Sequence, residues 1–155
     1  MIAGALPASC LAVWAVVIAA FDFRQRRIPN LALVLVVAPA IVSLAAYGGG
    51  LIGVSLLQSL GGCVFAGALL VPGYLARQVG AGDVKLAAVM GLLLGLYNSL
   101  MMLLVSGVVI GLMALVARLR LGKLRSSDYR LPGGLALAIG FVWSLWTHFV
   151  RDGGG

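Results

Sequence analysis

The chain has 155 residues, of which 63% are apolar and only 10% charged, with 22 glycines. A soluble globular domain carries roughly a quarter charged residues, so this composition excludes one and points to a single transmembrane domain over residues 1–155. The formal charge of +7 then belongs to short loops that orient the protein and meet anionic lipid headgroups. No basic face with interleaved aromatics is present to serve nucleic acid.

Residues 2–21 form the first apolar run. It lacks a basic n-region and a convincing A-x-A site, so it reads as a retained span rather than a cleaved signal peptide. Asp22 ends it, followed by the Arg24, Arg26, Arg27 cluster and Ile28-Pro29-Asn30. Pro29 suits the first turn of a new helix, where a missing N–H costs nothing. The second span covers 31–47, with a kink expected at Pro39. Gly48-Gly49-Gly50 forms a tight turn, and the third span runs over 51–76. A short polar connection then leads into Gly80-Ala81-Gly82-Asp83-Val84-Lys85.

Residues 84–117 are apolar apart from Lys85 and the Tyr97-Asn98-Ser99 interruption. One helix of that length would be about 50 Å long at about 1.5 Å per residue, well beyond a bilayer core. Two helices over 84–97 and 99–117, turning at Asn98, fit better. The last span is 131–150, and the Gly153-Gly154-Gly155 tail carries no signal. The expected fold is therefore an all-α integral membrane protein, a compact bundle of six transmembrane helices with both termini on the non-cytoplasmic side. With that parity every Lys and Arg except Arg151 shares the cytoplasmic face, as the positive-inside rule asks. Tyr47, Tyr97 and Trp146 then fall near the outer interface.

The same parity brings two carboxylates to one depth on one face. The chain has four acidic residues, Asp22, Asp83, Asp128 and Asp152. Asp22 ends the first span, and Asp83 begins the fourth. Two close carboxyls in a poorly solvated site cannot both ionise easily and titrate as a pair. Such a pair can hydrolyse a peptide: one member takes a proton from water while the other hydrogen-bonds the carbonyl oxygen. The residues alone equally allow a plainer role, with Asp83 capping its helix and Asp22 pairing with nearby arginines. Asp128, in a hydrophilic loop with Ser126 and Ser127, serves as the internal control. Cys10 and Cys63 lie in separate apolar runs and, with one His, fall short of the roughly four ligands of a zinc site. No metal or cofactor is expected.

Asp22 before an Arg-rich Ile28-Pro29-Asn30, followed by Gly80-Ala81-Gly82-Asp83-Val84-Lys85, resembles the type IV prepilin peptidase family, polytopic aspartic proteases of the GxGD class. Leu131-Pro132-Gly133-Gly134-Leu135-Ala136 also looks like a family segment, although an aromatic often stands where this chain has Gly133. The resemblance implies that Asp22 and Asp83 are catalytic and that Gly80, Gly82 and Lys85 lie on the substrate side. It implies removal of the short basic leader from prepilins or pseudopilins at the cytoplasmic face of a bacterial inner membrane. Longer, bifunctional relatives carry a C-x-x-C-containing segment between the first spans, which is missing here. The chain is similar to the short forms of tight-adherence (Flp-type) pilus systems, so N-methyltransferase activity is not expected. Gly91-x-x-x-Gly95 and Gly107-x-x-x-Gly111 offer flat helix faces, for the substrate's apolar helix or for packing within the bundle. The alternatives are another GxGD intramembrane protease, a small transporter or proton-relay subunit, and an inactive membrane subunit of a secretion machine.

Overall fold

The computed structural model of the chain describes residues 2–25, 30–77, 79–121 and 133–152. Five helices follow in order: α1 (Ile2–Gln25), α2 (Asn30–Tyr47), α3 (Leu56–Leu75), α4 (Ala81–Leu121) and α5 (Gly133–Asp152). Among the described residues four stretches are long and apolar enough to cross a membrane: Asn30–Tyr47, Leu56–Leu75, Ala81–Val116 and Gly133–Arg151. Ala8–Asp22 within α1 is a shorter apolar stretch. Helices satisfy their own backbone groups, which hydrocarbon demands. In α2 the buried residues are Leu33, Val36, Ala40 and Leu44, spaced to share one helical face. Leu31, Val34, Leu35, Ile41 and Val42 are exposed on the rest of the helix. Apolar exposure of this extent suits lipid rather than water.

The tightest packing joins α3 to α4, through glycine. A Cβ added to Gly62 would strike the carbonyl oxygen of Gly91 and come within 2.7 Å of the Gly95 carbonyl carbon. One added to Gly91 would strike the Gly62 oxygen and lie 2.9 Å from the Ala66 methyl. Gly91-x-x-x-Gly95 is thus spent on packing within the molecule. Among the described residues nothing lies within 4 Å of a Cβ added at Gly107 or Gly111, so there that pair presents an open face.

Helix α4 is interrupted at Gly95, whose φ of 76° and ψ of 173° are non-helical. Only glycine adopts such a backbone freely. The break falls at Gly95 rather than at the expected Asn98, because the residue that must leave the helical region is the one without a Cβ. Asn98 and Ser99 repair the ends it creates: Asn98 Nδ2 donates to the Leu94 carbonyl (3.2 Å) and Ser99 Oγ to the Leu96 carbonyl (2.8 Å). The two parts of α4 run in opposite senses along α5. Asp83, at the start, lies against Gly133. After the break, the Asn98 carbonyl accepts from Ser144 Oγ, and Met102 and Ser106 meet Gly140.

Other boundaries also differ from the sequence expectation. Residues 51–55 form a turn rather than the start of the third span. Gly50 N–H donates to Val54 O (2.7 Å), Gly53 N–H donates to Gly50 O (2.9 Å), and the φ of 83° at Gly53 turns the chain. Helix α4 continues past 117 to Leu121. Arg26, Arg27, Ile28 and Pro29, and residues 122–132 with Asp128, lie outside the described residues.

The core gathers where α1, α4 and α5 meet, with Ile18, Leu86, Met90, Met102 and Phe141 fully buried. Trp14 packs edge-on against Phe141, ring centroids 6.1 Å apart, and its indole N–H donates to the Ala32 carbonyl at 2.8 Å. One side chain thereby fixes α1 against both α5 and α2.

Candidate active site

Each of the two acids heads a buried stripe. On α1 the buried residues are Leu11, Trp14, Ala15, Ile18, Ala19 and Asp22, a three- and four-residue spacing that keeps one face inward. Asp22 occupies the next inward position of that face and is only 7% exposed, whereas Arg24 beyond it is exposed. On α4 the buried residues are Leu86, Ala87, Met90, Leu93 and Leu94. Asp83 precedes them in the same spacing, in the first turn and half-buried. The periodicity that builds the core thus aims both carboxylates into the bundle.

Asp83 is held by its own chain. Its Oδ2 accepts the Gly80 N–H at 3.3 Å, and the Gly80 carbonyl accepts the N–H groups of Asp83 and Val84 at 3.1 and 3.3 Å. The side chain reaches back to cap the helix it opens, the geometry of a first-turn acid satisfying an otherwise orphaned donor. Asp83 is thus not the N-cap considered from sequence but a first-turn residue that bonds back to the N–H of Gly80, and its carboxylate meets a further neighbour.

That neighbour is the start of α5. A Cβ on Gly133 would lie 2.8 Å from Asp83 Oδ2, and one on Gly134 would lie 2.8 Å from the carboxyl carbon of Asp22. The Leu135 N–H donates to Asp22 Oδ2 at 3.3 Å. Two consecutive glycines thus each receive a different carboxylate. Two carboxyl groups so placed, with backbone N–H donors beside them, can bind a water and move protons to and from it.

Of the other residues singled out from sequence, Gly80 supplies the N–H just described, Gly82 is half-buried in the first turn, and Lys85 is exposed. A Cβ on Gly80 would sit 3.4 Å from Asp83 Oδ2, so Gly80 is far less crowded than Gly133. Gly133, Gly134 and Leu135 carry no role in the sequence reading beyond their place in a family-like segment. The available signal was a pair of glycines in the first turn of an otherwise well-formed helix, where alanine would be favoured by about 1 kcal/mol each. Among the described residues no cluster of three or more His, Cys, Asp or Glu side chains is placed to hold a metal ion.

No curated protein and no solved structure matches the chain. Residues 9–116 match the model of the type IV leader peptidase family, a stretch that contains both Asp22 and Asp83 and ends before α5. By that match, over more than half of its length, the chain belongs to the type IV leader peptidase family.

Proposed function

We propose that the protein is an aspartic endopeptidase that removes the short basic leader from prepilins or pseudopilins, with Asp22 and Asp83 as its catalytic dyad. Family membership makes the chain a peptidase, and its apolar helices make it a multi-pass membrane protein. The observation that carries the finer reading is the meeting of Asp22 and Asp83, from separate helices, on the adjacent glycines that open α5.

In the proposed reaction one carboxyl is ionised and the other protonated. The ionised member takes a proton from a water, whose oxygen attacks the scissile carbonyl carbon. The protonated member gives its proton to the carbonyl oxygen as that oxygen gains charge. The tetrahedral diol collapses with cleavage of the C–N bond: one of its hydroxyls returns a proton to the carboxylate that gave one, and the amine leaves with a proton from the carboxyl that first took one. Both carboxyls return to their starting states, and water is the only co-substrate.

Six crossings of the bacterial inner membrane are the topology we favour. Supporting it are the glycine break at Gly95 and the opposite senses in which the two parts of α4 run along α5. Asp22, Asp83 and the start of α5 would share the cytoplasmic end. Arg151 and Tyr97, whose ring lies 5.1 Å from the guanidinium, would anchor the outer one. A leader-bearing substrate would present its scissile bond at the cytoplasmic surface while its apolar helix stays in the bilayer. The substrates would be those of a Flp-type pilus system, and N-methylation is not part of the proposed activity.

Co-expression with a prepilin, scored by a gel shift, tests this reading. Wild type should remove the leader, and Asp22→Asn and Asp83→Asn should each abolish removal while still inserting in the membrane. Cleavage that persists in either variant rules the dyad out.

A further inference from the structure

The helices that carry the two acids share little direct contact. Among the described residues α1 packs chiefly against α5, and α4 packs against α3 and α5. Whatever keeps Asp22 and Asp83 in register therefore has to act through α5. Its first turn is built for that task. Gly133 and Gly134 take one carboxylate each at distances that leave no room for a Cβ, and the Leu135 N–H holds Asp22 Oδ2. That N–H has no acceptor within its own helix, being one of the first-turn donors, so binding the carboxylate costs the helix nothing. The partial positive charge at a helix N-terminus favours an anion there. The middle of α5 is fixed independently, through Phe141 on Trp14 and through Ser144 Oγ on the Asn98 carbonyl.

We infer that the opening turn of α5, residues Gly133–Gly134–Leu135, is a third element of the active site: a backbone cradle that positions Asp22 against Asp83. The inference rests on the proposed peptidase reaction and adds to it residues outside the stretch matched by the family. Leu135 acts through its main-chain N–H as a positioning residue, so its side chain is free to vary. Gly133 and Gly134 act by having no side chain. Misplacing one carboxyl by the width of a methyl group spoils proton transfer to a shared water while leaving distant substrate contacts intact.

The direct test replaces the Leu135 N–H with an ester oxygen, by incorporating the α-hydroxy acid of leucine at position 135. In purified protein acting on a prepilin, kcat should fall about tenfold to a hundredfold, the usual range for a hydrogen bond to a charged group, with KM and Tm little changed. An unchanged kcat, or a fall explained by a matching loss of Tm, overturns the inference. A second measurement needs no substrate. Gly133→Ala should lower Tm when Asp83 is present and much less in an Asp83→Ala background, because the atoms it meets are those of the Asp83 carboxyl. Equal losses in both backgrounds overturn the cradle. Should wild type cleave no prepilin at all, the peptidase reading fails while this coupling still decides whether the turn and the acid are in contact.

Discussion

Two pairs of glycines border the same carboxylates, and the structure uses them differently. Gly80 and Gly82 belong to the motif from which the function can be guessed, yet a Cβ on Gly80 would make little more than ordinary van der Waals contact with Asp83, at 3.4 Å. Gly133 and Gly134 carry no such signature, yet an added Cβ at either would stand 2.8 Å from a carboxyl group. The space around the acids is tighter on the α5 side than on the Gly80 side.

That contrast can be broken by substitution. The largest expected effect is at the α5 glycines. Gly134→Ala should reduce leader cleavage by about a hundredfold or more, since overpacking of about 1–3 kcal/mol is relieved here by displacing Asp22, the proposed catalytic acid. The check is kcat measured on protein whose amount in the membrane is matched to wild type. Next comes Gly62→Ala, which drives α3 off α4 at the Gly91 carbonyl. It should lower Tm by several degrees, with activity lost only in proportion to folded protein. Gly80→Ala should cost less than about tenfold in kcat/KM with Tm unchanged, since its Cβ meets only ordinary crowding; a loss equal to that of Gly134→Ala would erase the contrast. Smallest of all, Gly107→Ala and Gly111→Ala face open space and should stay within about 0.5 kcal/mol of wild-type stability, read from thermal unfolding in detergent.

The two acids were legible in the sequence because charge is so scarce in this chain that each carboxylate stands out. Parity and the clustering of Lys and Arg led to the expectation that they share one face, and both lie against the start of α5. Packing was not legible in the same way. The break in α4 was expected at Asn98, the most polar residue of the run, but bilayer-embedded backbone yields where a Cβ is absent, at Gly95, and Asn98 serves to repair the break. Gly91-x-x-x-Gly95 and Gly107-x-x-x-Gly111 look alike in sequence, and only contact with Gly62 tells the first from the second. The place of Gly133 and Gly134 was hidden because it depends on which helix lies between α1 and α4, a three-dimensional fact that no local pattern encodes. The side-chain periodicity of α1 and α4 did hold the remaining clue, since Asp22 and Asp83 each extend the stripe that becomes buried.

The central claim is that carboxyls on two helices act as one hydrolytic centre. The most direct test is the rate of leader removal from a purified prepilin by wild type, Asp22→Asn, Asp83→Asn and the double variant, with insertion and Tm matched. Groups that work as a unit are grossly non-additive, so each single variant should already fall to the level of the double, about a thousandfold or more below wild type. Substantial cleavage by either single variant, or a double-variant loss equal to the product of the two single losses, would contradict the account.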